Sequence, residues 1–417
     1  MKNISMLPKN WKIKPLGEVC KLKNGFAFKS VDYKDEGIPV IRISDIKDGL
    51  IVPRNTVHVS ENSNYDNYII NENEIIVAMS GATTGKFGIY KSKDKAYQNQ
   101  RVGKFDILDT KVLDNDFLLH QLHSLKRRIE KDAYGGAQPN ISSKKIEEME
   151  IVLPPLETQQ AIVSKIEELF SELDKGIEDL KNAQQQLKTY RQSVLKWAFE
   201  GKLTNENIKD GKLPKGWEIL AINEISDVNP KLPNKEDLDR EIEVQFLPMK
   251  LVMELVNKIH LTEIRKLHEV LKGSYTPFID NDIIFAKVTP CMENGKIAIV
   301  EKLKNGIGFG SSEFHVVRTK EKVNNKFMFY FLVQDRFRNE AANEMTGAVG
   351  LRRVPKQFIE KYQIPLPTLK EQNLIIQEIE SRLSVADKME ESIAHSLLQA
   401  ESLRQSILKK AFSGELV

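Results

Sequence analysis

A glycine-rich turn is the first segment of this sequence whose residue types could do chemistry. Residues 81–87 read GATTGKF, and such a turn can hold phosphate groups with its backbone N–H donors. The nucleotide-binding form of this motif has four residues between the glycines and Ser or Thr after the lysine, and this segment has neither. We therefore predict a turn between two strands, with Lys86 available to contact a phosphate.

Two histidines spaced three residues apart form a second candidate. His120 and His123 could face a metal ion from one side of a helix, but the matching positions in the second half of the chain hold Tyr330 and Val333. Packing is therefore the favoured role. The two cysteines are far apart in the sequence, and their pattern indicates neither a zinc site nor a disulfide framework.

No catalytic centre is predicted from the remaining sequence. Residues 229–231 read NPK, which is not the Asn-Pro-Pro-Tyr type of loop that holds a flipped base in methyltransferases. With 41% apolar and 29% charged residues, the composition is typical of a folded soluble protein. The sequence shows no apolar run near the ~18 residues of a membrane span and no apolar signal segment at its start, so we expect a cytoplasmic protein.

The sequence contains an internal duplication of one unit. Residues 151–203 and 364–416 align with a constant offset of 213 and share 22 of 53 residues without a gap. The two halves also begin alike, with LPKNW from Leu7 and LPKGW from Leu213. Self-similarity on this scale indicates duplicated domains, because solenoid repeats are much shorter.

The duplication divides the chain into four segments. They are residues 1–150 (the first head), 151–206 (the first repeat segment), 207–363 (the second head) and 364–417 (the second repeat segment). Their net charges, counted as Lys and Arg minus Asp and Glu, are +4, −2, +3 and −2. Basic heads thus alternate with acidic repeat segments, which fits either basic binding surfaces or ordinary solvated surface.

Each repeat segment predicts one long helix. Its apolar residues recur every seven positions, as in a coiled coil. The helices should begin after Pro155 and at the Thr368-x-x-Glu371 capping box, and should end at Gly201 and Gly414. At about 40 residues and ~1.5 Å per residue, each would be ~60 Å long. The helix-packing positions are Ile166, Leu173, Leu180, Leu187 and Val194 in the first segment and Ile379, Ala386, Ile393, Ala400 and Ile407 in the second.

The two apolar stripes can bury each other. In an antiparallel pair centred on the middle of the helices, Leu187 would meet Ala386. Leu173 would likewise meet Ala400, so a large residue faces a small one at each place. Parallel pairing in register would give the same combinations, and the two-fold character of the duplication favours the antiparallel arrangement.

The heads are predicted to be mixed α/β domains. Short apolar or alternating runs predict strands at residues 38–43, 73–79, 281–288 and 313–318. Both heads contain an Asn-acidic-Ile-Ile segment followed by a Gly-Lys pair, but the loop between reads SGATTGKFG in one head and VTPCMENGKIA in the other. Unlike loops on a like framework indicate two binding surfaces with different targets.

The head loops carry side chains suited to nucleic acid. Lys, Arg, Asn, Gln, Ser and Thr read donor and acceptor patterns on base edges and hold phosphates. Lys126 and Arg128 stand where the second head has Arg336 and Arg338. Each pair could clamp a phosphate or simply face solvent.

The sequence resembles the specificity (S) subunits of type I restriction–modification enzymes. The resemblance rests on LPPLETQ and LPTLKEQ at the starts of the repeat segments, LKWAFEGKL and LKKAFSGEL at their ends, SGATTGK in one head, and FAKVTPCMENGKIA with GFGSSEFHVVR in the other. It covers essentially the whole chain. It implies an α+β fold with two mixed α/β target-recognition domains joined by two long antiparallel coiled-coil helices, related by a pseudo-two-fold internal repeat.

The resemblance also implies a function and partners. Each target-recognition domain would read one half of a split, asymmetric DNA site. The repeated helices would space these domains and dock two adenine methyltransferase (M) subunits, and restriction (R) subunits that translocate DNA would join that core. This chain would bind no cofactor, because the partner subunits would bind S-adenosylmethionine, ATP and Mg²⁺.

The residues that contact bases vary with the DNA target in this family, so none can be carried over from it. Our candidates are therefore residues of the head loops. The predicted DNA-binding residues are Lys29, Arg42, Ser80, Thr83, Thr84, Lys86, Gln98, Asn99, Arg101, Lys126, Arg128, Gln138, Asn140, Lys287, Thr289, Asn294, Lys296, Ser311, Ser312, His315, Arg336, Arg338, Arg352 and Arg353.

Two other interpretations stay open at the level of sequence. A complete enzyme with its own nuclease or methyltransferase activity would need a catalytic motif that the sequence does not show. A coiled-coil scaffold or regulatory protein without its own DNA readout would show no salt-dependent affinity for DNA in any complex.

Overall fold

The computed structural model describes residues 7–47, 49–53, 56–133, 139–205, 208, 211–348 and 350–417. The chain forms two compact units. The first unit comprises Met1–Leu180 and His395–Val417, and the second comprises Lys181–Ala394. Each unit therefore contains one head and a part of each repeat segment.

The strands described in the first unit form three sheets. They are β1 (Lys12–Pro15), β2 (Cys20–Asn24), β3 (Ile38–Ile41), β4 (Ile46–Lys47), β5 (Gly49–Ile51), β6 (His58–Val59), β7 (Ile69–Ile70), β8 (Ile75–Ala78), β9 (Phe87–Tyr90), β10 (Ala96–Gln98), β11 (Val102–Ile107) and β12 (Glu150–Leu153). The strand orders are β1-β12, β6-β3-β10-β7 and β2-β11-β8-β9-β5-β4. β3 and β10 are parallel neighbours.

The second unit repeats this topology. Its strands are β13 (Glu218–Ala221), β14 (Ser226–Val228), β15 (Glu243–Leu247), β16 (Glu263–Lys266), β17 (Thr276–Ile279), β18 (Ile283–Ala286), β19 (Ile297–Ile299), β20 (Ile307–Gly310), β21 (Phe314–Thr319) and β22 (Gln363–Leu366). The orders are β13-β22, β16-β15-β20-β17 and β14-β21-β18-β19, and β15 and β20 are again parallel. The described strands thus follow the order of the first unit without its β4-β5 hairpin.

The helices are α1 (Asn115–Ala133), α2 (Ser143–Glu147), α3 (Leu156–Phe199), α4 (Ile222–Ile225), α5 (Leu267–Val270), α6 (Asn325–Val333), α7 (Asp335–Asn343), α8 (Lys356–Lys361) and α9 (Leu369–Ala411). α3 and α9 are the long helices predicted for the repeat segments. In the part of the chain that the structure describes, none of these helices is long and apolar enough to cross a membrane.

The four strands predicted in the heads are confirmed as β3, β8, β18 and β21, with ends that differ by one or two residues. Asn73 and Asn281 precede two of them, and their φ angles are +68° and +70°. Asparagine tolerates this left-handed conformation better than most residues do. The repeated Asn therefore marks the same tight turn in each head.

The ends of the long helices form the same cap twice. Gly201 and Gly414 have φ angles of +76° and +81°, as the sequence predicted for helix C-termini. The following N–H groups, of Lys202 and Glu415, donate to carbonyls five residues back, at 2.8 and 3.0 Å. A Cβ at Gly201 would lie 2.2 Å from the Pro214 ring. Glycine is thus required by contact as well as by backbone conformation.

A buried glutamine secures the start of each long helix. The Gln159 side chain donates to the carbonyls of Val112 and Pro154 at 2.8 and 2.9 Å and accepts from the Asp114 N–H at 2.9 Å. Gln372, the equivalent residue of the second copy, makes the corresponding three hydrogen bonds in its own unit. Both side chains are fully buried. This explains why the motif at the start of each repeat segment contains glutamine.

The predicted helix seam is largely buried. All ten packing positions are buried except Leu173 and Leu180, which are half-buried. In the second unit, Asn205 near the end of α3 bonds Glu371 near the start of α9, whereas Arg191 pairs with Asp387 further along α9, at 2.7 Å. The two segments therefore run antiparallel.

The same ion pair occurs in each unit. Arg404 pairs with Asp174 in the first unit, and these residues are the equivalents of Arg191 and Asp387 at the offset of 213. The predicted pairing of Leu187 with Ala386 and of Leu173 with Ala400 is compatible with this register and stays a prediction.

Candidate nucleic-acid interface

Three segments of the first unit meet beyond the end of β8. The Met79 N–H donates to the Arg101 carbonyl at 2.9 Å, and the Ile141 N–H donates to the Met79 carbonyl at 3.0 Å. Ser80 forms an antiparallel bridge with Asn140. We call this convergence the first junction and define it as residues 79–86, 99–101 and 139–141.

The second unit has the same convergence beyond the end of β18. The Lys287 N–H donates to the Glu313 carbonyl, and the Val354 N–H donates to the Lys287 carbonyl, both at 2.9 Å. Val288 forms an antiparallel bridge with Arg353. We call this the second junction and define it as residues 287–296, 311–313 and 352–354.

The shared hydrogen bonds establish which positions of the two junctions correspond. Arg101 corresponds to Glu313, because each carbonyl accepts the first of these bonds. Asn140 corresponds to Arg353, because each bridges the second residue after the strand, Ser80 or Val288. Arg101, Asn140 and Arg353 are exposed. The framework is therefore repeated while the side chains it presents are different.

The glycine-rich turn of the first junction is closed by its own hydrogen bonds. The Gly85 N–H donates to the Ala78 carbonyl at 2.9 Å, and the Lys86 N–H donates to the Thr83 carbonyl at 3.0 Å. The Thr84 hydroxyl donates to the Gly81 carbonyl at 2.6 Å. These donors are not free to cradle a phosphate. The prediction of a turn between two strands is confirmed, since β8 and β9 pair on either side of it.

The structure divides the predicted DNA-binding residues by exposure. The exposed ones are Lys29, Lys86, Arg101, Lys126, Arg128, Asn140, Asn294, Ser312, Arg336, Arg352 and Arg353. The half-buried ones are Arg42, Ser80, Thr83, Lys287, Thr289, Lys296, Ser311 and Arg338. The buried ones are Thr84, Gln98, Asn99 and His315. Gln138 lies outside the described residues.

Gln98 is a structural residue in this fold. Its side chain is fully buried, and its amide donates to the carbonyls of Lys23 and Val102 at 2.7 and 2.8 Å. The neighbouring Asn99 is also buried and accepts a hydrogen bond from the Arg101 N–H at 3.2 Å. These two residues shape the turn between β10 and β11. Their side chains, like that of Thr84, are therefore buried within the head and do not face its surface.

His315 is likewise part of the core of the second head. Its Nε2 donates to the Val354 carbonyl at 2.8 Å, and its Nδ1 lies 3.0 Å from the Asn229 amide nitrogen. Burial lowers the pKa of His315 to about 4, so the ring is neutral at pH 7. A neutral, buried imidazole cannot hold a phosphate, and the sequence could not reveal this burial.

The four predicted phosphate-clamp residues have different surroundings. Arg338 is mostly buried, forms an ion pair with Asp335 and donates to the Glu293 carbonyl, so it ties α7 to the second junction. Arg336 is exposed but pairs with Glu340 at 2.9 Å. Lys126 and Arg128 are exposed on α1. The first head therefore keeps the two better candidates for phosphate contact.

Glu313 is a residue of the second junction that the sequence did not indicate. Its carboxylate accepts two hydrogen bonds from Arg353, from Nε at 2.8 Å and from Nη2 at 2.7 Å. This pairing holds the pKa of Glu313 below its ordinary value. A carboxylate repels phosphate, so composition alone gave no reason to select it. The signal was its position, one residue after Ser311 and Ser312 in the loop that precedes β21.

Other side chains of the second junction turn toward the same head. The Asn294 amide donates to the Glu254 carboxylate at 3.1 Å, and the Lys296 ammonium donates to the Met249 carbonyl at 3.4 Å. Arg352 lies 3.7 Å from the Glu293 carboxylate. The Thr289-Pro290 peptide bond in this loop is cis.

The described residues contain no group of His, Cys, Asp and Glu that could hold a metal ion. His120 is buried, which lowers its pKa. His123 packs against the Phe87 ring with centroids 4.7 Å apart, and burial lowers its pKa to about 4. Both histidines are therefore packing residues, as the sequence indicated.

The family model for the type I restriction modification DNA specificity domain matches this chain twice, at residues 8–182 and 214–397. Each match includes one head and the first part of the long helix that follows it. The two matches cover more than half of the chain, and they correspond to the two copies that internal self-similarity identified.

Curated relatives from Escherichia coli carry the same family name. The EcoBI specificity subunit of the type I restriction enzyme is 26% identical over 437 aligned residues, which cover 98% of this chain and 86% of that protein. The EcoAI specificity subunit is 38% identical over 205 residues, which cover 49% of this chain. The match to EcoAI spans only 34% of the length of that relative.

A solved structure shows the same fold. It comes from a study of complex assembly and conformational transition of the type I restriction–modification system. One of its chains superposes with a TM-score of 0.73 over 98% of this chain and 99% of its own length, at 18% identity. The mixed α/β heads and two long helices of the predicted fold class are therefore confirmed. On the family match and this fold, the chain belongs to the type I restriction modification DNA specificity family, with one specificity domain in each half.

Proposed function

We propose that this chain is the non-catalytic specificity subunit of a type I restriction–modification complex that acts on DNA in the cytoplasm. The first head reads one half of an interrupted, asymmetric DNA site, and the second head reads the other half. The chain binds no cofactor itself. The partner subunits bind S-adenosylmethionine, ATP and Mg²⁺.

One observation carries this proposal. The two junctions share two backbone hydrogen bonds and one antiparallel bridge, yet the corresponding positions hold Arg101 and Asn140 in one head and Glu313 and Arg353 in the other. A scaffold would have no reason to keep this framework and change the side chains that it exposes. Two domains that read different base sequences require such a difference, because sequence is read by side-chain donors and acceptors.

The repeat segments support docking of two M subunits, to which R subunits are added. Lys175 and Lys388 are equivalent and exposed, and so are Glu178 and Glu391. Packing within the chain does not explain why exposed residues are identical in both copies. A partner that docks twice through the same contacts does explain it, as an isologous or repeated interface reuses one surface.

The decisive experiment is a map of methylated adenines in DNA from cells that express this chain with its methyltransferase partner. We expect one bipartite, asymmetric motif with a fixed spacer. The isolated chain should transfer no methyl group and should bind DNA specifically only in the complex. Methyl transfer by the isolated chain would show that it is a complete enzyme, and the absence of salt-dependent DNA affinity in the complex would favour a scaffold.

A further inference from the structure

We propose that Arg353 reads a guanine in the half-site of the second head, and that Glu313 is the residue that positions it. This inference rests on the proposed function and adds the base and the residues to it.

The hydrogen bonds of Arg353 leave two of its donors available. Its guanidinium has five N–H donors. Nε and Nη2 each donate to the Glu313 carboxylate, and Nη1 donates to the Leu351 carbonyl at 3.1 Å. One donor therefore remains on Nη1 and one on Nη2. The carboxylate occupies the edge formed by Nε and Nη2. With the Leu351 carbonyl on the Nη1 hydrogen that points back toward Cδ, the edge formed by Nη1 and Nη2 can face a ligand.

The remaining edge matches one base better than the others. Guanine presents two adjacent acceptors, O6 and N7, in the major groove, and a bidentate arginine is the commonest contact to them. Adenine has a donor beside N7, and the pyrimidines offer at most one acceptor there. The Arg353 side chain is 44% exposed, so a base edge can approach it.

The ion pair with Glu313 favours a base over a phosphate. A phosphate contact is strong because the arginine carries a full positive charge. The Glu313 carboxylate at 2.7 Å offsets that charge and repels a phosphate. A guanine edge is neutral and needs only correctly directed donors. Because the carboxylate also fixes the plane of the guanidinium, less conformational freedom is lost on binding.

The position of Arg353 agrees with this role. It corresponds to Asn140 of the first junction, and both are exposed and bridge the second residue after the strand. Asparagine makes bidentate contacts with adenine, as arginine does with guanine. One framework position thus carries a side chain capable of bidentate purine recognition in each head, and the two side chains favour different bases.

The test maps methylated adenines for complexes that contain the wild-type chain, Arg353→Gln, Arg353→Lys or Glu313→Gln. In Arg353→Gln we expect one G·C position of the motif to become degenerate, with discrimination reduced roughly 5- to 150-fold. Arg353→Lys keeps the charge but lacks the fork, so the same position should relax while the salt dependence of DNA binding is unchanged. Glu313→Gln should relax that position and no other, because a purely structural residue would not act on a single base.

Arg240→Gln is the matched control, since Arg240 is an exposed arginine of the second head outside the junction. It should leave the motif unaltered. The assignment is overturned if Arg353→Gln keeps the full motif, or if the position that relaxes is an A·T pair. It is also overturned if Arg353→Gln lowers affinity and the salt slope equally for all sequences, as a phosphate contact would. If the wild-type complex methylates no specific DNA sequence, the proposed function itself is overturned.

Discussion

A fragment that ends at Asn205 should form a two-fold dimer. It contains the first head and all of α3, and it lacks the end of α9, which in the full chain packs in the core of the first unit. That core includes Ile407, Leu408, Ala411 and Phe412. The equivalent residues of α3 are Val194, Leu195, Ala198 and Phe199. A second copy of the fragment can thus supply almost the same side chains to the first head.

The ion pair can be replaced in the same way. Arg191 is the equivalent of Arg404, so it can pair with Asp174 of the other copy. Phe199 can likewise take the place of Phe412, whose ring lies 5.5 Å from that of Phe117. Burying three large apolar side chains contributes roughly 1.5–3 kcal/mol for each, and the dimer contains this contact twice.

One contact of the dimer is unfavourable. In the predicted register of the seam, Leu173 of one copy would meet Leu187 of the other, where the full chain is predicted to have Ala400. Overpacking costs about 1–3 kcal/mol per site, and the symmetry creates the site twice. Leu187→Ala should therefore tighten the dimer by at least ~2 kcal/mol, which is about 30-fold in the dissociation constant.

Sedimentation equilibrium over a range of concentrations measures this constant. Leu173→Ala should tighten the dimer as Leu187→Ala does, because either change restores a large-small pair. The double variant should weaken it, since two alanines leave a cavity. With the methyltransferase partner, the dimer should modify an interrupted palindrome of the first half-site. Three results would refute this reasoning. They are a fragment that stays monomeric at roughly tens of micromolar, a double variant that dimerises most tightly, and methylation of a non-palindromic site.

Three further predictions concern the docking surface, the helix starts and pH. Reversing the charges of the exposed pair in one copy, as Lys175→Glu with Glu178→Lys, should reduce the number of M subunits in the complex from two to one, as measured by its mass. If no partner uses this site, the stoichiometry will not change. Gln159→Ala should lower the free energy of unfolding by about 1–3 kcal/mol, because two carbonyls and an N–H lose their partner, while Gln160→Ala at the exposed neighbour should have little effect in the same urea titration. Since burial lowers the pKa of His315 to about 4 from an ordinary ~6.5, the unfolded state binds the proton first, and stability should fall by about 3 kcal/mol as pH drops from ~6.5 to ~4. In His315→Gln that loss should be smaller, and equal pH dependence in both proteins would contradict the assignment.

The repeat segments could be predicted from sequence almost completely. Their information is local: a seven-residue apolar period, a capping box at Thr368 and glycines where the helices end. Each of these features depends on neighbours within one or two helical turns. The antiparallel direction depends on contacts between segments far apart in the chain, and it needed the two-fold argument to choose between arrangements with the same residue pairs.

The head loops could be predicted much less well. Gln98 and His315 have side chains suited to DNA, but their burial depends on carbonyls contributed by distant strands and loops. Glu313 was missed for the opposite reason. Its negative charge repels phosphate, and its role in positioning Arg353 follows only from the contact between the two side chains in the structure. The residue type defines which hydrogen bonds a side chain can make. Only the fold shows which of these groups already have a partner within the protein.

The two heads should read their two half-sites independently. The most direct test exchanges residues 1–150 for the first head of another family member and maps methylated adenines in cells that carry the hybrid chain with its methyltransferase partner. We predict that one half of the bipartite motif changes and that the other half keeps its bases. A methylome in which both halves change, or neither does, would contradict the claim.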